Sequence, residues 1–510
     1  MWWLARKSAV GGFLLGRWLV RISIAWLRGR RETFGSARWA TPRMIRRAGV
    51  VGESGLIVGK VGGRLLRDVN VEGSVLVLAP QGAGKGVGPV VCNLLDYGGS
   101  VLCTDPKGEN CAVTRRYRAS LGPVHVLDVG RPEASDAFNP MDSIRWGTAN
   151  ETDDAEGLAD LMLMTEAKAD SHWRVRAAAW LTGFILHVGH SHDERSARRT
   201  LAEVNGLVNL PSRQFAELLS DMEGSPVERV AEAAAQIARG LDSDETRSIL
   251  STLVKGTGPW SRDKPLAGMT ARSSFAFEDL YRQTVTVYLV VPEEKLAIYG
   301  AFLRVMTGLA LNGVLRAGRD SAPPVNRPLF LLDEAAALGH LEPLENGMGY
   351  IRAYARAMLI FQDLGQLEAT YRKARSMVAN AATLVAFGVN DMETAKTLSE
   401  RIGPTTVTAL SEGLSQPAAR IGAGTTQAGL AEAARPLIDA SEIMRLGSNE
   451  VLVFMGRNVA PPILAERVAY FRERRFRGRW DRWRSGAVCG RSDGTAGARV
   501  GVLPAAHGAA

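Results

Sequence analysis

The segment from Val75 to Gly86 constrains the fold of this chain more than any other part of the sequence. It reads VLVLAPQGAGKG, so an apolar run of strand type leads into a glycine-rich turn that carries one lysine, Lys85. The backbone N–H groups of such a turn, together with the N-terminal end of a following helix, favour an anion at one point. The segment therefore predicts an α/β fold with a phosphate-binding loop. The candidate nucleotide-binding residues of this loop are Gln81, Gly82, Ala83, Gly84, Lys85 and Gly86.

The loop departs from the usual G-x-x-x-x-G-K-[ST] pattern at two positions. Ala79 stands where the first glycine belongs, and Gly86 replaces the Ser or Thr whose hydroxyl normally contacts Mg²⁺. The cradle and its positive charge remain, but one metal ligand is missing. An ordinary strand-to-helix turn has a similar composition, so the interpretation depends on partner segments elsewhere in the chain.

A second buried-strand pattern, residues 328–334 (PLFLLDE), ends in two carboxylates. In a parallel sheet its end lies at the same edge as the phosphate loop. Asp333 would then hold Mg²⁺ through water, and Glu334 would polarise the water that attacks the γ-phosphate. Acids that favour a helix dipole are the simpler alternative. That alternative explains the acids but not their pairing with a phosphate loop upstream.

Other strand ends supply further candidates. Asp105 follows the apolar run 100–104 and is a candidate group of the nucleotide site, although Asp-Pro-Lys-Gly is also favourable turn chemistry. Gln362 ends another strand pattern and is of a type that can orient the γ-phosphate and its water. Arg352 and Arg356, four residues apart, are possible arginine fingers for a neighbouring subunit's nucleotide. The alternative is that both arginines pair with acids on their own helix.

The hydrophobic pattern predicts a mostly parallel α/β domain interrupted by helices. Strand and helix patterns alternate from about residue 75 to 129, helical periodicity then dominates to about residue 258, and strand patterns resume at 284–291. Residues 413–429, rich in Gly, Ala, Ser, Thr and Gln, predict a surface loop. The expected domains are 1–31, a basic membrane-associating segment; 32–150 and 271–475, two parts of the nucleotide-binding domain; 151–270, an inserted all-α domain; and 476–510, a basic and then disordered tail.

The first 31 residues combine Trp, Leu and Ile with several basic residues. Their longest uncharged run, 8–16, is far short of the roughly 20 residues that cross a bilayer. On a helix, Arg6, Arg17, Arg21 and Arg28 fall within an arc of about 60°, which predicts a helix lying in the membrane interface. Two alternatives are the remainder of a longer anchor that begins upstream and a cleavable signal.

Size and charge are compatible with an α/β nucleotide-binding protein that associates with a membrane, but other classes of protein share them. The chain has 510 residues, of which 46% are hydrophobic and 23% charged, enough for a large core and two or more domains. Lys and Arg number 62 against 53 Asp and Glu, a net charge of +9 that suits a nucleic-acid or anionic-membrane partner. The composition excludes a fibrous or wholly disordered chain.

Six segments, in this order, resemble the TraG/TraD-like coupling proteins of type IV secretion. The resemblance extends from about Gly35 to about Arg475. Its segments are 35–39 (GSARW), 84–88 (GKGVG), 105–109 (DPKGE), 138–142 (FNPMD), 331–334 (LLDE) with 337–341 (ALGHL), and 362–367 (QDLGQL).

The resemblance implies a RecA-like motor ATPase that uses ATP and Mg²⁺. Such proteins usually form a homo-hexameric ring on the cytoplasmic face of the bacterial inner membrane. They receive a relaxase bound to single-stranded DNA and help to drive it into the channel built by the other secretion proteins. The resemblance also implies that the all-α domain faces the side where substrate enters, and that a Lys-Gly ending of the phosphate loop is familiar.

Two other functions stay open at this point. A membrane-attached docking scaffold that binds nucleotide without turnover is conceivable because of Ala79 and Gly86. A double-strand DNA pump from the same clan of ring ATPases is the other. The segments 105–109 and 337–341 favour the secretion coupling family over this pump.

Overall fold

The computed structural model describes residues 32–70, 73–163, 171–192, 196, 198–415, 425–456 and 459–483. The predicted membrane-associating segment 1–31 and the end of the predicted tail, 484–510, lie outside these residues.

A single large sheet organises the described part of the chain. Its 11 strands, within that part, follow the order β2-β1-β13-β12-β9-β3-β8-β7-β4-β6-β5. A separate ribbon pairs β10 with β11. The strands are β1 Leu56–Val61, β2 Arg64–Asp68, β3 Val75–Leu78, β4 Val101–Thr104, β5 Val124–Asp128, β6 Thr286–Val290, β7 Leu329–Leu332, β8 Arg356–Phe361, β9 Thr383–Ala386, β10 Pro404–Ser415, β11 Thr425–Pro436, β12 Glu450–Met455 and β13 Ile463–Glu466.

The run from β9 to β5 is parallel, and the four strands at the other end pair antiparallel. Every residue of β3, β4, β7 and β8 is buried, as expected for parallel strands covered on both faces. Successive side chains enter opposite cores: Leu76 and Leu78 pack into one, Val75 and Val77 into the other. The apolar runs of the sequence thus become central strands, and the predicted mostly parallel α/β fold is confirmed.

Helices cover both faces of the sheet and form the segment between β5 and β6. They are α1 Pro42–Arg47, α2 Val91–Asp96, α3 Glu109–Ala119, α4 Glu151–Met162, α5 Ser171–Ser191, α6 Leu201–Val208, α7 Ser212–Glu223, α8 Glu228–Arg239, α9 Asp244–Thr257, α10 Pro265–Met269, α11 Asp279–Arg282, α12 Leu296–Asp320, α13 Glu342–Ile351, α14 Leu364–Thr370, α15 Ala374–Asn380, α16 Met392–Ile402 and α17 Ala440–Met444.

The helices α4 to α10 share a core with one face of the sheet. Trp180 and Trp260 are fully buried in the same apolar cluster as Leu332 and Phe361. This continuity follows from sequence, because the amphipathic pattern of helices such as α8 leaves one apolar stripe that must be covered.

Helix α12 connects this helical segment with the sheet. One stretch of the described residues, Glu293–Asp320, is long and apolar enough to cross a bilayer, but 83% of its most apolar window is buried inside the protein. It is therefore a core helix. Its Arg304, itself buried, donates hydrogen bonds to the carbonyls of Leu161 (2.7 Å), Met162 (3.1 Å) and Leu338 (3.1 Å).

The prediction of a surface loop at residues 413–429 is wrong for the residues of that range that the structure describes. Residues 413–415 and 425–429 pair within the antiparallel ribbon of β10 and β11, in a register that joins Ser415 to Thr425. Cross-strand backbone hydrogen bonds satisfy the N–H and C=O groups there, so the many small residues do not prevent a strand.

The first residues of the predicted tail pack against the domain. Phe476 is buried, the backbone N–H of Asp481 donates to the Val113 carbonyl (3.0 Å), and Arg116 pairs with Asp481 (2.9 Å). These contacts attach the first residues of the tail to the domain, with Asp481 on α3.

Candidate active site

Four neighbouring strands deliver the predicted site residues to one edge of the sheet. The strands β3, β8, β7 and β4 are adjacent and parallel, so their C-terminal ends lie side by side. They lead into the glycine-rich loop, Gln362, the doublet Asp333 and Glu334, and Asp105, respectively. This edge is where ligands bind in open parallel sheets.

Lys85 contacts both acids of the doublet. Its Nζ lies 2.6 Å from Oε1 of Glu334 and 3.3 Å from Oδ1 of Asp333. Burial alone would lower the pKa of Lys85, but the two carboxylates outweigh it and raise that pKa. The three side chains line a cavity of 410 Å³ together with Gln81, Gly82, Gly84, Gly86 and Asp105. The lysine is therefore charged and faces the space where a phosphate chain would lie.

The glycine-rich loop depends on left-handed backbone at two positions. Gly82 has φ 77° and Gly84 has φ 87°, a region that glycine occupies without steric cost. The chain then enters a short π-helical turn, Gly86–Val90, which contains Pro89. The first turn after the loop is thus wider than an α-helical turn.

Glu334 is strained. With φ 56° and ψ 53° it is the only non-glycine residue at positive φ in the part of the chain that the structure describes. Left-handed backbone costs roughly 1 kcal/mol for such a residue, and strain of this kind concentrates at functional sites. A hydrogen bond from Thr104 Oγ1 to the Asp333 carbonyl (2.7 Å) anchors the strained turn to β4.

Asp333 has the features of a magnesium ligand. Apart from the ion pair with Lys85 at 3.3 Å, its buried Oδ1 has no partner among the described residues. Burial raises the pKa of Asp333, the charge of Glu334 raises it further, and Lys85 opposes both. A divalent cation beside this oxygen would compensate the buried charge.

The described residues contain no cluster of three His, Cys, Asp or Glu side chains that could hold a metal ion. Mg²⁺ commonly binds through one or two carboxylates, water and substrate phosphates, so one acid suffices. The donor set present therefore fits Mg²⁺ brought with a nucleotide, although Gly86 offers no hydroxyl.

Asp105 lines the cavity and also bonds the first turn of α3. Its carboxylate accepts a hydrogen bond from the backbone N–H of Cys111 (2.8 Å) in the first turn of α3. Burial, with a smaller contribution from the charge of Asp333, raises the pKa of Asp105 to about 7. Asp105 therefore exchanges its proton near neutral pH, whereas an ordinary aspartate is fully ionised there.

Two of the predicted site residues, Gln362 and Ala83, do not line the cavity. Gln362 is half-buried at the end of β8, and its N–H donates to the side chain of Gln366 (2.8 Å). Neither Gln362 nor Ala83 is among the residues that line the cavity. Both lie at the same edge of the sheet as the cavity, but neither forms part of its wall.

The structure contradicts the prediction that Arg356 is an arginine finger. Arg356 lies in β8, is buried, and pairs with Asp68 through Nη2 at 2.7 Å, so it is not available to a neighbouring subunit. The expectation that it shares a helix surface with Arg352 is also wrong, because residue 356 begins a strand. Arg352 is exposed and precedes β8, at the edge of the sheet opposite the chain's own phosphate loop.

The structure adds residues that the sequence did not single out as site residues. Asn110 lines the cavity and opposes the rise in the pKa of Asp333, and Lys107 pairs with Glu293 (3.5 Å) at the cavity wall. Arg467 donates to the carbonyl of Ala83 (3.0 Å) in the glycine-rich loop. The DPKGE segment was a signal for Lys107, whereas no local pattern marks Glu293 or Arg467.

A mostly parallel sheet, a glycine-rich loop with its lysine and an acidic doublet on a neighbouring strand define a RecA-like P-loop protein with an added helical segment. The family described as type IV secretory system conjugative DNA transfer matches residues 38–485. This chain belongs to that family of conjugal transfer coupling proteins.

Relatives and solved structures agree with this assignment. The conjugal transfer protein TraG of Escherichia coli is 31% identical over 454 residues, covering 81% of this chain and 71% of the relative. Protein VirD4 of Rhizobium rhizogenes is 28% identical over 477 residues, covering 88% and 67%.

The fold is that of the bacterial conjugative coupling protein TrwB. Its unbound structure has a TM-score of 0.64 at 17% identity and covers 86% of this chain and 93% of that chain. The complex of TrwB with the non-hydrolysable ATP analogue ADPNP has a TM-score of 0.63 at 16% identity, covering 85% and 93%.

Proposed function

We propose that this chain is an ATP-hydrolysing coupling protein that recruits relaxase-bound single-stranded DNA and drives its transfer to a type IV secretion channel. The observation that carries the proposal is the convergence of Lys85, Asp333 and Glu334 on one cavity, at 2.6 and 3.3 Å. These are the three charges that phosphoryl transfer to water requires.

Each residue has a role that fits its position. Lys85 binds the β- and γ-phosphates, and Gly82 and Gly84 let the loop backbone approach them. Asp333 orients the water shell of Mg²⁺, and Glu334 orients the attacking water and accepts its proton. Gln362, at the neighbouring strand tip, relays loss of the γ-phosphate. ATP supplies the phosphoryl group, and Mg²⁺ neutralises charge on its oxygens.

The nucleotide assignment has support from a relative of the same fold. TrwB has been solved with ADPNP and with ADP and Mg²⁺. The cavity in this chain offers a lysine, a glycine-rich loop and an acid whose buried oxygen lacks a hydrogen bond among the described residues. These are the groups that such ligands need.

A buried link supports coupling of hydrolysis to the helical segment. Arg304 donates to carbonyls at the C-terminal end of α4 and to the carbonyl of Leu338, which closes the turn after Glu334. A change at Glu334 would therefore shift the contact with α4. On this proposal residues 151–270 receive the substrate, residues 1–31 attach the protein to the inner membrane, and six copies form a ring on its cytoplasmic face.

The test is ATP turnover by the full chain with and without single-stranded DNA, together with binding of a fluorescent ATP analogue. Glu334→Gln should keep binding and reduce turnover at least about a hundredfold, because it loses the proton acceptor. Glu294→Gln, an exposed acid near the cavity, is the matched control.

Three results would redirect the proposal. Wild-type protein that binds ATP but never hydrolyses it would be a docking scaffold. Stimulation by double-stranded DNA alone would favour a double-strand DNA pump. Full turnover by Glu334→Gln would refute the assigned chemistry.

A further inference from the structure

Arg467 joins the antiparallel end of the sheet to the phosphate loop. It follows β13, and its backbone N–H donates to the Asn449 carbonyl (2.7 Å), which fixes where its side chain starts. Its Nη1 donates to the carbonyl of Ala83 at 3.0 Å. A Cβ added to Gly84 would overlap this same nitrogen, so the guanidinium lies directly against the loop.

The contact continues beyond the guanidinium. A Cβ at Gly88 would lie 3.1 Å from the carbonyl of Val468 and 3.8 Å from Cγ of Arg467. Val468 itself is buried with Val91 against the helix that follows the loop. The segment that begins at Arg467 therefore packs along the loop from Ala83 to Val91.

The charge of Arg467 has no acidic partner among the described residues. Its Nε is buried and also lacks a hydrogen-bond partner in that part of the chain. Arg467 does not line the 410 Å³ cavity, so it reaches a bound phosphate only through the loop. The positive charge of Arg467, on the side of the loop away from the cavity, favours an anion in the cavity. Holding the Ala83 carbonyl on that side also leaves the loop N–H groups directed at such an anion.

We propose that Arg467 is a positioning residue of the nucleotide site. It holds the Ala83 carbonyl outside the cavity, so that the N–H groups of the loop remain directed at the phosphates. Its guanidinium also occupies the space that a Cβ at position 84 would take, so Gly84→Ala would displace Arg467 besides straining the backbone at φ 87°. This inference rests on the proposed ATP binding and extends it to a residue 384 positions from its loop partner.

The experiment measures the dissociation constant of a fluorescent ATP analogue, and the KM and kcat for ATP, in the full chain. Arg467→Ala should raise the dissociation constant and KM about tenfold, because a charged hydrogen bond to the loop is lost. Arg467→Lys should recover part of the loss, since it keeps the charge. Arg477→Ala is the control, because Arg477 is exposed and lies in the same segment.

A double-mutant cycle with Gly84→Ala tests the contact itself. Gly84→Ala should weaken binding less in the Arg467→Ala background than in the wild type, because only the clash with Arg467 disappears there. If Arg467→Ala lowers the melting temperature of the nucleotide-free protein, the Arg467→Lys protein replaces it in the cycle.

The outcomes separate this inference from the proposed function. Unchanged KM and affinity in Arg467→Ala, or equal effects of Arg467→Ala and Arg477→Ala, would overturn the positioning role while ATP binding stands. Wild-type protein that does not bind the analogue would refute the proposed function instead.

Discussion

Nζ of Lys85 lies 2.6 Å from Oε1 of Glu334, although 249 residues separate them in the chain. The contact places the ammonium group and the carboxylate side by side in the wall of one small cavity. Nucleotide binding requires Lys85 to exchange carboxylate oxygens for phosphate oxygens, and Mg²⁺ would then balance the acids it leaves. The ion pair therefore holds the lysine in place before the ligand arrives.

Replacing Lys85 should affect both binding and stability. Lys85→Met should weaken ATP binding at least about tenfold, because the charge-assisted contacts to phosphate are lost. It should also cost about 2 kcal/mol of unfolding free energy at pH 8, since buried Asp333 loses its partner. Titration calorimetry and urea unfolding measure the two effects.

The stability loss in Lys85→Met should shrink at pH 5. Removing the cation raises the pKa of Asp333 beyond its already raised value, and the protonated acid carries no penalty. Lys107→Met is the stability control, because the ion pair of Lys107 with Glu293 is exposed and contributes little. A pH-independent loss would contradict this explanation.

The strain at Glu334 predicts an unusual order of stability. Both Glu334→Gly and Glu334→Ala delete the side chain, but only glycine relaxes at φ 56°. Glu334→Gly should therefore exceed Glu334→Ala by about 1 kcal/mol in unfolding free energy. Urea unfolding of the two variants decides, and equal or reversed stabilities would show that the turn is not strained.

Asp105 should make the stability of the protein depend on pH. Because the pKa of Asp105 is raised to about 7, the folded protein holds this proton more tightly than the unfolded chain. Its contribution is fully present below about pH 4, is lost as the pH rises toward 7, and stays absent above that. Asp105→Asn keeps an acceptor for Cys111, so the variant should gain stability relative to the wild type between pH 5 and 8.

Thermal unfolding across this pH range tests the prediction for Asp105. Asp320→Asn, at the exposed end of α12, serves as the control. Parallel pH curves for wild type and Asp105→Asn would show that Asp105 is ionised throughout.

Substitutions of the two arginine-finger candidates should have different effects on stability. Arg356→Met breaks the buried pair with Asp68 and should cost about 3 kcal/mol of unfolding free energy. Arg352→Ala should leave stability within about 0.5 kcal/mol, because the residue is exposed. If Arg352 acts in trans, only this variant should lose DNA-stimulated turnover while remaining folded. Wild-type turnover by Arg352→Ala in the assembled state would exclude the trans role.

The strand tips were predictable from sequence because their signals are local. An apolar run that ends in a glycine-rich turn or an acidic doublet specifies both a buried parallel strand and the chemistry at its end. The parallel sheet and the edge that carries Lys85, Asp333, Asp105 and Gln362 follow from this rule. The six family motifs are local in the same sense, because each is a run of a few neighbouring residues.

Other features depended on partners that sequence spacing does not reveal. Arg356 resembled a helical surface arginine, yet it starts β8 and neutralises Asp68, a residue 288 positions earlier. The small residues of 413–429 suggested a loop, yet residues 413–415 and 425–429 pair in the register of a long ribbon.

The sequence by itself determined the chemical inventory of this protein: a phosphate loop, its lysine, an acidic doublet and the alternation of strands and helices around them. Only the tertiary structure decided which of these groups meet, that Glu334 is held in left-handed backbone, and that Arg467 supports the loop from behind. The physical reason is the separation along the chain over which each kind of interaction acts. Backbone preference and side-chain pattern act between near neighbours in the chain, whereas ion pairs and close packing join residues that only the complete fold brings together.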